Sequence, residues 1–137
     1  MSHKEEVELI KRRSLRMLEY AKKCLSTGDY DLASFLAEQA AQLYLKSVLL
    51  KTTGEMPRTH VIRQLFHALR ELAKNKEQID EFIRKNEFIR KNRILLIGLE
   101  EAYLATRYFY RVYEKEEAEE LVKFAEKVIK IAKNIEV

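Results

Sequence analysis

The sequence has little of what breaks helices or cross-links a fold. Its 137 residues include one proline, three glycines, one cysteine, three histidines and no tryptophan. The single cysteine excludes an internal disulfide, and one cysteine with three scattered histidines offers too few ligands for a structural zinc site. No segment alternates apolar and polar residues cleanly, and no Asn-Gly or Asp-Gly turn joins two β-rich runs. These absences predict an all-α chain of long helices.

Long apolar runs are also absent. The longest, residues 94–99, is far too short to cross a bilayer, and the amino-terminal MSHKEEVEL has no apolar region of the signal-peptide kind. We therefore expect one cytoplasmic domain over residues 1–137, with no membrane contact and no cofactor or metal. The abundance of Lys and Glu is typical of thermophile proteins. The net charge of +4 argues only weakly for a nucleic-acid ligand.

Apolar residues recur at helical spacing along most of the chain, and the breaks between these stretches predict about five helices. The second has little polar surface, which is typical of a helix at the centre of a bundle. Tyr44 on this helix is expected in the core, and Lys46 is expected to pack its stem there with its ammonium in water. The predicted helices cover about residues 3–26, 30–51, 60–72, 94–108 and 114–132.

The predicted buried positions follow from the same spacing. On the second helix they include Leu32, Phe35, Leu36, Ala40, Leu43, Tyr44, Ser47, Val48 and Leu50. On the third they are Ile62, Leu65, Phe66, Leu69 and Leu72. On the last they are Ala118, Leu121, Val122, Ala125, Val128, Ile129 and Ala132.

Helix ends are indicated by residues with special backbone or capping properties. Gly28 can take the left-handed conformation after the first helix, and Asp29 is placed to cap the second. Thr59 is placed to cap the third. Gly98 lies inside the fourth helix and costs about 1 kcal/mol relative to alanine, which is consistent with a close helix crossing.

A direct duplication interrupts the pattern before the fourth helix. The hexapeptide EFIRKN occurs at residues 81–86 and again at 87–92. Six residues rotate a continuous helix by about 240° net, so the two Phe-Ile pairs cannot share a face. Either the helix breaks near Asn86, or the additional apolar residues face a partner chain. We interpret the duplication as a local structural feature.

Two segments together resemble a known family. Residues 28–60 read GDYDLASFLAEQAAQLYLKSVLLKTTGEMPRTH, and residues 99–110 read LEEAYLATRYFY. A helix start, an apolar helix, a Gly/Pro loop ending in Thr-His, and a later helix ending in Tyr-x-x-x-Arg-Tyr follow in this order. This order resembles the HEPN family over about residues 15–135. The resemblance implies an up-and-down bundle of about five helices, often dimeric.

The resemblance also raises the question of ribonuclease activity. Many HEPN proteins are metal-independent ribonucleases with an Arg-x4–6-His motif, in which histidine moves protons and arginine holds the phosphate. Arg107 lies where that arginine is expected, but no histidine follows it, and the next candidate, Tyr113, carries a phenol, a group that ordinarily ionises only at about pH 10 and is a poor base at neutral pH. We therefore expect no catalytic residue.

Five residues are candidates for ligand binding. An arginine beside aromatic rings can hold a phosphate and stack a base, and the alternative for each candidate is capping, core packing or an ion pair between helices. Arg63 is also four residues before His67, so the two could touch on one helical face. The candidates are Arg107, Tyr103, Tyr108, His60 and Arg63.

Two classes of function follow. The first is a non-catalytic binding module for a nucleotide or RNA, a homodimer that partners a separate minimal nucleotidyltransferase in a toxin–antitoxin-like pair, as the resemblance implies. The second is a degenerate metal-independent ribonuclease centred on Arg107. The missing histidine favours the first, and a purely structural helical oligomer is a further alternative.

Overall fold

The computed structural model describes residues 1–74, 76–77, 80, 98, 100 and 112–135. Within these residues the chain forms four long helices and no strand, which confirms the predicted all-α class. The predicted fourth helix and the EFIRKN duplication lie outside the described residues, apart from Gly98 and Glu100, which are both helical. The four helices are α1, His3–Thr27; α2, Tyr30–Thr53; α3, Ile62–Leu72; and α4, Lys115–Lys133.

The turn between α1 and α2 forms as the sequence predicts at Gly28. Its φ of 81° is left-handed, and the following amide of Asp29 donates to the carbonyl of Cys24 at 2.9 Å. Asp29 precedes α2 but makes no side-chain cap. Its carboxylate accepts a hydrogen bond from Thr27 Oγ1 at 2.6 Å instead. The predicted side-chain cap at Asp29 is therefore wrong, because the turn itself engages that carboxylate.

Helices α1 and α2 pack antiparallel along small side chains. The buried hydroxyl of Ser14 donates to the carbonyl oxygen of Ala40 at 2.7 Å. Three residues before Ser14 on α1, Lys11 lies over the ring of Tyr44 on α2. A hydroxyl can reach the backbone of a neighbouring helix only where the two backbones approach closely. Alanines with no exposed surface allow this approach, namely Ala21, Ala33, Ala37, Ala40 and Ala41.

Helix α2 lies at the centre of the bundle and contacts α1, α3 and α4. Its buried residues face several directions, as its apolar composition predicts. Two buried serines, Ser34 and Ser47, donate to carbonyls of the same helix, at Tyr30 and Tyr44. Because carbonyl groups of the same helix accept these hydrogen bonds, the two hydroxyls need no partner elsewhere in the core.

Helix α4 has the cleanest buried face. All seven of its predicted core positions are buried, and Phe124 is buried with them. The helix starts with a capping box, in which Glu114 accepts from the backbone at Glu117 and Glu117 accepts from the backbone of Glu114. Leu121 Cδ2 lies 3.3 Å from the position that a Cβ at Gly98 would take. This short distance shows that α4 lies close to Gly98, as expected from a glycine at a close helix crossing.

Three details differ from the sequence-based predictions. Leu32 and Leu72 are 49% and 39% exposed, because they lie in the first and last turns of their helices. Helix α3 begins at Ile62 after Val61, so Thr59 does not cap it directly. The Thr59 hydroxyl instead accepts from the Val61 amide at 3.1 Å and shapes the approach to the helix.

Candidate functional site

A stripe of polar side chains crosses the buried surface of α2. Glu38, Gln42 and Lys46 are spaced four residues apart, so they lie on one helical face. Their exposed fractions are only 0%, 3% and 6%. Buried polar groups of this size require hydrogen-bond or charge partners. The surroundings of the stripe therefore define the candidate site.

The carboxyl group of Glu38 is the most perturbed group in the described part of the chain. Its pKa is raised to about 8, mainly by burial and also by the negative charge of Glu100, against the opposing effects of Gln39, Gln42 and Lys46. Gln39 Nε2 and Gln42 Nε2 each donate to this carboxyl group at 2.9 Å. The burial of Glu38 therefore favours the protonated form of its carboxyl group.

Gln42 connects this buried carboxyl group to the loop before α3. Its Nε2 also lies 3.4 Å from the carbonyl oxygen of His60, and its Oε1 lies 3.3 Å from His60 Nδ1. An imidazole protonated at Nδ1 donates to that amide oxygen. His60 itself is exposed. The chain Glu38–Gln42–His60 thus extends from the core to the surface.

Arg63 lies one residue inside α3, close to His60 in sequence. Its Nε lies 2.8 Å from Glu100 Oε1 and its terminal nitrogen lies 3.0 Å from Glu100 Oε2, a bidentate pair. The hydrogen bond and charge of Glu100 raise the pKa of the guanidinium. The side chain of Arg63 is 44% exposed and that of Glu100 only 15%. The pair therefore presents its arginine towards solvent.

Lys46 carries the positive charge of the polar stripe on α2. Burial lowers the pKa of its ammonium, and the nearby Glu38 opposes this shift. Its low exposure shows that it lies deeper than the sequence predicts for a lysine with its ammonium in water. The charges of Lys46 and Glu100 thus both act on the buried Glu38, and Arg63 pairs with the half-buried Glu100 nearer the surface.

The structure brings two of the five sequence-predicted candidates to this region. His60 contacts Gln42, and Arg63 pairs with Glu100 rather than with His67, which is exposed on α3. The other three candidates lie outside the described residues, namely Arg107, Tyr103 and Tyr108.

Glu38, Gln42 and Glu100 were missed by sequence reasoning. The available signal was the Glu-x3-Gln-x3-Lys spacing inside an otherwise apolar helix. Polar residues at i, i+4 and i+8 share a face, and on a central helix that face has to be buried. Reading the helix only for its apolar residues hides this pattern.

Neither a cluster of metal ligands nor a membrane-spanning helix occurs in the part of the chain that the structure describes. In residues 1–74 and 112–135, with the five isolated positions between them, no three His, Cys, Asp or Glu side chains are grouped to hold a metal ion. Among the helices formed by those same residues, none has the length and apolarity to span a membrane.

Comparison with known proteins identifies the family. The family model of the HEPN domain matches residues 7–135, nearly the whole chain. The chain belongs to the HEPN family. No curated protein matches it.

Two solved structures resemble this HEPN domain over almost their full lengths. The first is TT1696 from Thermus thermophilus, with a TM-score of 0.70, 26% identity and coverage of 93% of this chain and 95% of that one. The second is ST0689, an archaeal HEPN homologue, with a TM-score of 0.60, 25% identity and coverage of 93% and 94%. The resemblance in sequence order is therefore confirmed at the level of fold and family.

Proposed function

We propose that this HEPN domain is a non-catalytic binding module for a nucleotide or RNA, and that it partners a separate minimal nucleotidyltransferase in a toxin–antitoxin-like pair. The observation that carries the proposal is that His60 ends the Glu38–Gln42 chain at the surface, while Arg63, three residues later, presents its guanidinium to solvent from its pair with Glu100. The imidazole is held by the buried Gln42 and the guanidinium by the half-buried Glu100, and this preorganisation lowers the entropic cost of binding.

The chemistry of these groups suits a nucleotide. A guanidinium matches the geometry of phosphate oxygens, and an imidazole offers hydrogen bonds and a flat face to a base. Arg63 already binds the two oxygens of Glu100 in the way in which it would bind a phosphate. A phosphate group would compete with that carboxylate for the exposed guanidinium.

The same geometry supports binding over catalysis. Cleavage of RNA without metal needs a group that exchanges protons near neutrality and reaches the ribose hydroxyl. Glu38 has a suitable pKa of about 8, but its side chain has no exposed surface. His60 is exposed, but no arginine precedes it at the spacing of the family motif, and no histidine follows Arg107.

The nucleotide-binding half of the proposal is tested by titrating labelled ATP, ADP and a short single-stranded RNA into the protein. His60→Ala, Arg63→Ala, Tyr103→Ala, Tyr108→Ala and Arg107→Ala should each weaken binding. Arg58→Ala, which removes an exposed arginine from the loop that contains His60, is the matched control. Equal affinity in all of these variants would contradict the site. Unfolding of Arg107→Ala, seen by circular dichroism, would instead make that residue a structural ion-pair partner.

The partnership is tested separately. A minimal nucleotidyltransferase encoded beside this chain should co-purify with it at a fixed ratio when both are expressed together. The absence of such a neighbouring gene or complex would contradict the partnership and would leave the proposal of a nucleotide site unchanged.

A further inference from the structure

A groove with lysines along its edge runs between α1 and α4, away from the residues of the α2–α3 site. It encloses about 510 Å³. Its apolar base comes from Leu15 and Leu18 on α1 and Ile129 on α4. Its edge on α4 carries four lysines and one glutamate, namely Lys123, Glu126, Lys127, Lys130 and Lys133.

The lysines form a continuous stripe because of their spacing. Positions 123, 127, 130 and 133 recur every three or four residues, so they stay on one side of the helix. At a rise of 1.5 Å per residue they span about 15 Å. All four are exposed.

The positive charge of this edge is not neutralised within the described chain. Glu126, the one acidic residue among the described residues that line the groove, pairs with Lys22 of α1 at 3.3 Å. At the other end, Lys11 and Lys133 each lie 5.9 Å from the centre of the Tyr44 ring, so cations from both helices converge there. Among the described residues, no carboxylate pairs with Lys123, Lys127 or Lys130.

We propose that the α1–α4 groove docks an acidic amphipathic helix of a partner protein, with carboxylates against the α4 lysines and apolar side chains against the half-buried Leu15 and the apolar stems of the lysines, since Leu18 and Ile129 below them are only 9% and 3% exposed. A helix of about ten residues matches the 15 Å length of the lysine stripe. Laying one helix face into a groove between two helices is a common mode of peptide recognition.

The lining favours a helix over a nucleic acid. Surfaces that bind single-stranded RNA combine cations with aromatic rings on which bases stack. This groove has aliphatic side chains at its base and no aromatic side chain in its lining, as far as the described residues form it. The cations that its described lining residues contribute are lysines, with no arginine among them for bidentate phosphate contacts. Apolar base and cationic edge together complement the two faces of an acidic amphipathic helix.

The probe for the test is a fluorescein-labelled 15-residue peptide with glutamates at helical spacings of three and four and leucines on one adjoining stripe. Its binding to the full chain is measured by fluorescence anisotropy. A peptide with lysine at every glutamate position and a 15-nucleotide polyuridine RNA are measured alongside it. The acidic peptide should bind, and its affinity should fall with added salt.

Charge reversal locates the binding surface. Lys123→Glu/Lys127→Glu/Lys130→Glu should weaken binding by about tenfold or more, since three partly exposed ion pairs are replaced by repulsion. Lys123→Gln/Lys127→Gln/Lys130→Gln removes the positive charges without adding negative ones. It tests the same surface if the triple glutamate variant fails to fold. The control variant is Lys23→Glu/Lys51→Glu/Lys74→Glu, which alters the net charge by the same amount at exposed lysines outside the groove. It should bind the acidic peptide as tightly as the parent protein does.

Three results would overturn the proposal. The acidic peptide could fail to bind, or the control triple variant could lose as much affinity as the groove variant, which would reduce the effect to net charge. Tighter binding of the polyuridine RNA, lost in the groove variants, would make the groove a nucleic-acid surface instead.

Discussion

Gln42 donates its side-chain amide to the buried carboxyl group of Glu38 at 2.9 Å, one helical turn earlier in α2. This contact places an acid with a pKa of about 8 at the inner end of the polar chain that reaches His60. The carboxyl group is held by amides that remain neutral at every pH. Its charge state therefore follows burial and the nearby charges of Lys46 and Glu100, and stability should respond to pH accordingly.

The first prediction concerns that response. The pKa of Glu38 rises from 4.5 in the unfolded chain to about 8 in the folded one. Between these values the folded state binds more protons, so its stability falls as pH rises, by up to about 1.4 kcal/mol per pH unit. Glu38→Gln cannot ionise and should remove this slope, which urea unfolding at pH 5, 6, 7 and 8 would measure.

The control for this experiment is Glu55→Gln, an exposed glutamate in the loop after α2. It removes the same formal charge without changing the core. We expect the Glu38→Gln protein to gain stability relative to the parent as pH rises to 8. Parallel stability curves for the parent and Glu38→Gln would show that the carboxyl group is not perturbed by burial.

The contrast between α4 and α2 explains how far the sequence could predict the structure. Helix α4 buries its apolar face and exposes its polar face, so the spacing of its apolar residues alone identifies its core residues. Helix α2 is enclosed on most sides, so its polar residues are also buried, and apolar spacing does not reveal Glu38 or Gln42. Leu32 and Leu72 were expected in the core because the pattern ignores the lack of neighbours at helix ends.

The site was predictable only in part for a related reason. His60 and Arg63 were identified from residue type and from the order of motifs. Glu100, the partner of Arg63, lies 37 positions later in the sequence. No local spacing connects these two residues, because their contact arises from the tertiary fold and not from neighbouring positions on one helix.

A second prediction concerns the contact between α1 and α2. Ser14→Ala removes the hydrogen bond to Ala40 and should cost about 1 kcal/mol. Ser14→Leu should cost more, since it also forces a larger side chain between closely packed backbones, a change that typically costs about 1–3 kcal/mol. Urea unfolding measures both. Ser26→Leu, at an exposed position of the same helix, should leave stability nearly unchanged. Similar stability of Ser14→Leu and the parent would argue against a tight helix crossing.

A third prediction concerns oligomeric state. We expect a homodimer at tens of micromolar protein. Leu32 and Val112 are 49% and 75% exposed, and the hydrogen bond from the Tyr113 amide to Asp31 at 2.7 Å places their backbones near one another. Such apolar surface favours association. Leu32→Asp/Val112→Asp should shift the sedimentation coefficient towards that of a monomer.

The matched control for the dimer is Tyr20→Asp, which places a charge at another exposed apolar residue, on α1. It should sediment as the parent does. A parent protein that sediments as a monomer at these concentrations would contradict the prediction outright. A dimer that persists in the double variant would move the interface to another surface.

A fourth prediction is the absence of ribonuclease activity. Structured and single-stranded RNAs should stay intact during incubation with the protein in EDTA, because the sequence lacks an Arg-x4–6-His pair after Arg107. Analysis of the products on denaturing gels measures this. Cleavage that disappears in Arg107→Ala would establish the alternative function, a degenerate metal-independent ribonuclease.

The last prediction uses the competition for Arg63. Glu100 holds the guanidinium through two hydrogen bonds, so a phosphate group has to displace a carboxylate before it can bind. Glu100→Gln keeps the shape but removes the charge, and should therefore strengthen nucleotide binding, while Arg63→Ala should weaken it. In the double variant the gain should vanish, because the benefit of the glutamine acts through the arginine. Titration of labelled ATP measures all four proteins. If Glu100→Gln strengthened binding equally with and without Arg63, its effect would reflect net charge alone, and Arg63 would be a structural residue.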